Sequence, residues 1–379
     1  MSELRVDTIN EATTDTGTTI SKLTNPNQPF RNILINGDMK IAQRATSTSS
    51  ITANGYHTVD RMNSIISSQG TWTQSQSTTV PTGQGFTKSL KMDCTTADAS
   101  PAASDILRIQ QAIEGHNLQH LKYGTSSAES TTLSFWVRSN KTGTYVIQLL
   151  NGAVSRQVGK TYTISSADTW EKKTITFPGD TSTALDNDNS AELYVQFCLG
   201  TGSNRSSGTL SSTWKSFVSA DQFAGQTVNL ADSTSNEWYI TGIQLEVGEI
   251  ATDFEHLPFD VQERRCFRYF QTLHLTSNSI IVSASTSTTD AHMDFEYPNG
   301  EMRTSPTITL PAAGNSSGTT AFLTAVGAYP STIGTHVAQT VTEIHTRISG
   351  SGYSANLGAG YALLFYSNGT NTFKMDAEI

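Results

Sequence analysis

The sequence is short of charge, of cysteine and of long apolar runs. Only 15% of its 379 residues are Asp, Glu, Lys or Arg, and hydrophobic residues reach 36%. Globular chains carry about 25% and 45–50% respectively. Basic residues number 24 against 33 acidic ones, for a net charge of −9, and no Lys/Arg run of useful length occurs. That argues against a nucleic-acid partner. Cys94, Cys198 and Cys266 are odd in number and far apart, so their spacing implies no disulfide framework and no zinc site. They read as buried small side chains. No stretch approaches the ~20 apolar residues of a membrane-crossing helix, and no membrane insertion is expected. MSELRVDTIN has no apolar core of signal-peptide length, which implies synthesis in a reducing cytoplasm. Catalytic fingerprints are missing as well: there is no GxSxG, P-loop or dinucleotide pattern. His116 and His120 stand four apart, but HNLQH lacks the glutamate of a zinc-protease helix.

Ser, Thr, Asn and Gly fill the gap, and 15 Phe, 12 Tyr and 5 Trp are spread along the chain. A disordered chain would carry more charge and fewer aromatics. The mixture suits β-sheets with one buried face and one hydroxyl-rich face. Short apolar or alternating runs recur between turn signals: Ile33–Ile35, Leu133–Val137, Thr144–Leu149, Lys173–Phe177 and Glu192–Phe197. Asn36-Gly37, Asn54-Gly55, Lys141-Thr142-Gly143 and Pro178-Gly179-Asp180 supply the turns. The fold class expected is all-β, a jelly-roll β-sandwich followed by a smaller C-terminal β-sandwich. Residues 106–121 allow either a helix or a strand plus loop. The division expected is an extended arm over 1–31, a jelly roll over 32–255, a linker or short helix over 256–272, and a second β domain over 273–379. The arm holds two small apolar groups, Leu4-Val6-Ile9 and Ile20-Leu23, too few to bury alone; it is expected to dock on another chain.

Four segments carry a resemblance to a known family. They are Asn32–Arg44 (NILINGDMKIAQR), Trp238–Glu255 (WYITGIQLEVGEIATDFE), Glu263–Phe270 (ERRCFRYF), and Met302–Ile308 taken together with the terminal Asp376–Ile379. Their order and spacing resemble bacteriophage tail-fibre and related virion fibre proteins with a carbohydrate-binding-module-like jelly-roll domain. The resemblance covers residues 32–379. It implies a structural fibre subunit, usually a homotrimer, exposed on the particle surface after assembly in a host cytoplasm. Its partners would be further copies of itself, other virion proteins of tail or capsid, and a host-surface glycan. The arm residues Leu4, Val6, Ile9, Ile20 and Leu23 would anchor it to the virion. A purely structural virion protein and a polysaccharide depolymerase are the alternatives, the last requiring two carboxylates across a scissile bond.

Sugar sites set aromatic faces against the apolar side of a pyranose, with planar polar groups for its hydroxyls. Trp136 and Trp238 lie in or beside apolar strands and are expected to pack. Trp72 and Trp214, in Ser/Thr/Gly-rich surroundings, and Trp170, at a loop-to-strand entry, are the carbohydrate-binding candidates. Asp186 and Asp188, in the run DNDN, could hold a structural calcium, and so could Asp38 with Glu246. No other cofactor is implied.

Overall fold

Alternation of apolar and polar residues builds the strands. In Thr131–Ser139, Leu133, Phe135 and Val137 are fully buried; in Ala191–Thr201, Leu193, Val195, Phe197 and Leu199 fill the same role. Successive strand side chains point to opposite faces, so one face becomes core and the other is left for polar residues. The computed structural model describes residues 29–152, 155–275, 280–285, 291–309, 320–324, 336–342, 344–350, 362–367 and 371–379. Leu4, Val6, Ile9, Ile20 and Leu23 of the expected arm lie outside the described residues.

Two antiparallel sheets face each other across one core. The first sheet has the order β1 (Ser47–Ile51), β4 (Thr71–Ser77), β5 (Ser89–Thr96), β13 (Glu237–Val247), β7 (Thr131–Ser139), β10 (Glu171–Phe177). The second has the order β12 (Lys215–Ser216), β9 (Arg156–Ile164), β8 (Gly143–Asn151), β11 (Ala191–Thr201), β6 (Ile106–Glu114), β3 (Asn63–Ser67), β2 (Gly55–Tyr56). The chain changes sheet at β1–β2, β3–β4, β5–β6, β6–β7, β7–β8, β9–β10, β10–β11 and β12–β13, the winding of a jelly roll. The helix-or-strand ambiguity at 106–121 resolves as strand β6 followed by two short 3-10 turns. Leu107, Ile109 and Ile113 face inward with period two.

Two readings of the sequence change here. Ile33–Ile35 is buried but forms no strand. Its backbone is satisfied instead by the Leu245 carbonyl, the Asn32 side chain and the Gln111 side chain. The linker or short helix expected over 256–272 holds helix α1 (Phe259–Phe267), but its boundary moves: β14 (Phe270–Leu275) begins before residue 273. β14 pairs with β22 (Asn371–Asp376), which pairs with β17 (Thr307–Thr309), as a three-stranded sheet. A further sheet of six runs β18 (Thr320–Thr324), β21 (Ala362–Ser367), β15 (Ile280–Ser285), β16 (Ala291–Glu296), β20 (His345–Gly350), β19 (His336–Val341).

A bulge sets the phase of β13. Trp238 and Ile240 are buried on even numbers, Ile243 and Leu245 on odd ones. The register against β7 shifts between Thr241 and Gln244, so one extra residue flips the parity. Gly242 makes the shift at φ +63°, and a Cβ there would meet the Phe86 ring at 2.5 Å. Both the conformation and the close approach require glycine.

Buried charge joins the jelly roll to the segment that follows it. Arg61 is 1% exposed; it pairs with Glu378, donates to the Ala112 carbonyl at 2.7 Å, and lies 3.4 Å over the Tyr269 ring. Arg44 donates to Asp376 at 2.9 Å and lies 3.7 Å over the Phe270 ring. Arg268 forks onto Glu114 at 2.8 and 3.0 Å, and Arg303 donates to the carbonyls of Ala377 and Asn189. Cys266 is fully buried beside Ile35, Ile41 and Tyr269. Removing one partner of such a pair strands the other charge. Glu378→Ala is therefore expected to lower the unfolding free energy by about 3–5 kcal/mol, read by urea denaturation; a change under about 1 kcal/mol would contradict the buried pair.

Asp60, at the same joint, accepts from the Gln43 backbone at 2.9 Å and from its side chain. Burial raises its carboxyl from 3.8 to about 6, against the lowering effect of Gln43 and Arg44. A raised acid pKa means the folded state holds its proton longer than the unfolded one. The penalty is absent below about pH 4, grows between pH 4 and 6, and is constant above. Asp60→Asn lacks that penalty. Relative to the parent, the variant is expected to gain on the order of 2–3 kcal/mol between pH 4 and 7, measured by denaturation at each pH.

Candidate functional site

The tryptophans expected to meet sugar are largely committed to packing. Trp72 is fully buried, opposite Ile51 and Cys94, with its indole N–H on the Gln69 carbonyl at 2.7 Å. This overturns the expectation of exposure: Thr71 and Thr73 alternate outward, while Trp72 takes an inward position on β4 and Gln74 is buried two residues on. Trp214 is half-buried, donates to the Pro178 carbonyl at 2.7 Å, and sits edge-on to Tyr123 at 5.7 Å. It fastens a loop to the core. Trp170 is half-buried and edge-on to Tyr239 at 6.2 Å. Trp238 is fully buried, as expected, whereas Trp136 is half-buried on the outer face of the first sheet.

The calcium candidates do not converge. Asp188 is exposed and its carboxylate accepts from the Ser190 amide and hydroxyl, while Asp186 offers its amide to Glu192. Between them and the joint, Asn189 exchanges hydrogen bonds with Arg303. The DNDN loop thus has a docking role. Asp38 is fully buried beside Lys40 at 2.8 Å, whereas Glu246 accepts from the amide and hydroxyl of Thr252. Among the described residues no three His, Cys, Asp or Glu side chains form a metal site.

A cleft forms instead on the outer face of the second sheet. Because β11 lies between β6 and β8, its register lines residues up across three strands. Gln196 stands opposite Gln110 on one side and Gln148 on the other; Tyr194 stands opposite Ala112 and Leu150. Residues 202–226 fold over one end of this face. Phe223 is fully buried there against Ile106, Val146 and Cys198, and its amide donates to the Arg205 carbonyl at 2.7 Å. That segment contributes Arg205, Phe217 and Gln222 as a wall, and the resulting cavity is about 230 Å³. A water molecule occupies about 30 Å³ in the liquid.

Two arginines fix how the amides point. A guanidinium can only donate, so Arg108 Nε at 3.0 Å requires the oxygen of Gln110 to face it. That same oxygen then accepts from Gln196 Nε2 at 3.0 Å. The Gln196 oxygen is left buried without a partner, on a side chain only 1% exposed. In a second chain Arg205 donates to Gln222 at 2.7 Å, Gln222 to Gln148 at 3.1 Å, Gln148 to Gln157 at 2.7 Å, and Gln157 to the Val218 carbonyl at 3.1 Å. Each amide of this second chain both accepts and donates a hydrogen bond, so the amides are locked before any ligand arrives. Burial, and then the neighbouring Arg205, pushes the Arg108 guanidinium down to about 10. Burial also raises the Tyr194 phenol. Among the described residues no carboxylate lines the cleft. Its side chains supply two aromatic faces, fixed amides and cations.

A second concavity of about 260 Å³ lies on the outer face of the first sheet, between Trp136, Lys172, Gln84 and the Phe86–Phe254–His256 cluster. The three rings of that cluster pack on one another at 5.0–5.3 Å, and burial lowers the His256 imidazole. Its aromatic surface is mostly engaged with itself.

No protein-family model matches the sequence, and no curated protein matches it. Several solved structures are similar in part. One is the enzymatically active domain of tailspike protein 4 of bacteriophage CBA120, at 12% identity and a TM-score of 0.30, over 58% of this chain and 22% of that one. The present chain thus spans about a fifth of that protein. Another is a CBM4 structure, at 12% identity and TM-score 0.28, over 56% and 97%. A third is TmCBM61 in complex with β-1,4-galactotriose, at 7% identity and TM-score 0.24, over 57% and 99%. At these scores the likenesses assign no ligand.

The amide chain makes a stability prediction of its own. Gln148→Leu leaves Gln222 and Gln157 each with a buried polar group unpaired. The expected loss is about 1–3 kcal/mol for each group, measured by chemical denaturation. An unchanged midpoint would mean the chain is solvated.

Proposed function

We propose that this chain is a non-catalytic adhesion subunit of a virion fibre, which holds a glycan of the host surface in the cleft on its second sheet. One observation carries the reading: Gln110, Gln196 and Gln222, oriented through two arginines, line a walled cavity together with Tyr194 and Phe217, and the Gln196 oxygen is left unpaired. Sugar hydroxyls both donate and accept, and planar amides serve them from either end. The C–H face of the ring packs on an aromatic side chain. Locked amides lose little conformational freedom on binding, which favours affinity. Affinity per site would still be modest, and a homotrimer anchored through residues 1–31 would multiply it through valency.

A purely structural virion role is the second reading. It is favoured by the joint, where the segments that resemble fibre proteins serve as packing and ion-pair partners.

The test is a glycan array probed with the full chain, followed by calorimetry on the best ligand. Gln196→Leu removes the unpaired acceptor and replaces the amide with an apolar side chain of similar size. The expected result is binding by the parent chain and a roughly tenfold weaker Kd for the variant, equivalent to about 1.4 kcal/mol. Absence of glycan binding by the parent chain would leave the structural role.

A further inference from the structure

The cleft also carries a chemical preference, an inference that rests on the glycan reading above. We infer that its ligand is an acidic saccharide, one bearing a carboxylate or a sulfate, and that Arg108 and Arg205 receive the anionic group.

Arginines elsewhere in the jelly roll have carboxylate partners. Arg61 has Glu378, Arg138 has Asp168 at 2.8 Å, and Arg156 has Asp180 at 2.6 Å. Among the described residues Arg108 and Arg205 have none. Each makes one hydrogen bond, to a neutral amide oxygen. Nη1 and Nη2 of Arg108, and Nε and Nη2 of Arg205, therefore remain free to donate. Both side chains are half-buried, and both line the same cavity. Two like charges held together without a counter-ion are unfavourable in the free protein. An anion arriving between them relieves that repulsion. Burial first, and the Arg205 charge second, hold the Arg108 guanidinium below its ordinary value.

The surroundings sharpen the preference. The chain as a whole has nine more acidic than basic residues, yet among the described residues no carboxylate faces this cleft. Its field is positive within an acidic protein, which selects against the chain's own surface and in favour of an anionic ligand. Arg108 is tethered through Gln110, and Arg205 through Gln222. The guanidinium planes are held while their forks stay available for a planar carboxylate or an oxyanion. A bare ion would leave Tyr194, Phe217 and the Gln196 oxygen unused. A saccharide with one acidic group engages all of them.

Matched pairs of saccharides test this with the full chain. The carboxylate arm compares polygalacturonate oligosaccharides with their fully methyl-esterified forms. The sulfate arm compares κ-carrageenan oligosaccharides with the desulfated galactan. Inorganic sulfate and a single-stranded oligonucleotide serve as controls. In at least one arm the acidic member is expected to bind tenfold or more tightly than its neutral partner, with affinity falling as salt rises from 50 to 500 mM. Arg108→Gln and Arg205→Gln should each reduce that preference about tenfold, read as the ratio of acidic to neutral affinity for the same variant. Arg108→Lys, which keeps the charge, should retain most of the preference, and thermal denaturation of each variant reports whether it folds. Equal binding of acidic and neutral members would overturn the inference while the glycan reading stands. Binding of neither member would overturn both. Oligonucleotide or sulfate binding as tight as the acidic saccharide would also reject it, in favour of a generic anion site.

Discussion

The register of β11 against β6 and β8 governs both faces of the second sheet. On one face it stacks Leu193, Val195, Phe197 and Leu199 into the core; on the other it aligns Gln196 with Gln110 and Gln148. The side-chain period of a strand is two, so a slip of one residue would exchange these sets and place amides in the core. The core therefore enforces the geometry of the cleft. A hydrophobic face with this many fully buried side chains tolerates one register, and the polar face inherits that precision without its own residues having to specify it. The arginines complete the arrangement by choosing, for each amide, which end is oxygen.

The joint between the jelly roll and the following segment depends on a different constraint. Arg61, Glu378, Glu114 and Asp60 are withdrawn from water, and each such charge is tolerable only with a partner or a proton. The partners come from distant parts of the sequence. Gln43 and Arg44 reach Phe270 and Asp376, Arg268 reaches Glu114, and Arg303 reaches Asn189 and Ala377. Tyr269 and Phe270 lie under the guanidiniums as apolar floors. Geometry of this kind fixes the relative placement of the elements more tightly than apolar contact alone, since guanidinium forks demand both distance and plane.

Much of this was legible in the sequence, and the failures have physical reasons. Leu133–Val137, Thr144–Leu149, Lys173–Phe177 and Glu192–Phe197 all fall within observed strands, because period-two patterning is a local property. Gly242 interrupts the apolar run of β13, where it is both a bulge and a close approach. The NILINGDMKIAQR, ERRCFRYF and DAEI segments were recognisable, and they meet at the joint; what they encode there is attachment between parts of the fold. The cleft was hidden because its members are joined by pairing across the sheet. Gln110 and Gln196 are 86 positions apart, and nothing local announces their contact. The available signal was weaker: long polar side chains, Arg108 and Gln110, Gln148, Tyr194 and Gln196, at outward positions of otherwise apolar central strands. Tryptophan drew attention away from them. Trp72 lies among hydroxyls in sequence and in the core in space, since neighbours along a strand face the opposite side.

The pairing of Arg61 with Glu378 also sets a schedule. The two residues are 317 positions apart. At a synthesis rate of ~5–20 residues per second, the glutamate emerges roughly 15–65 s after the arginine. Once β13 has emerged the jelly roll can assemble its sheets, yet until Glu378 arrives Arg61 must stay hydrated and the floor formed by Tyr269 cannot close over it. The nascent sandwich therefore waits with one open seam, at the place where its last strands will dock. Assembly of this chain is ordered in time, with completion of the first half dependent on the arrival of the second.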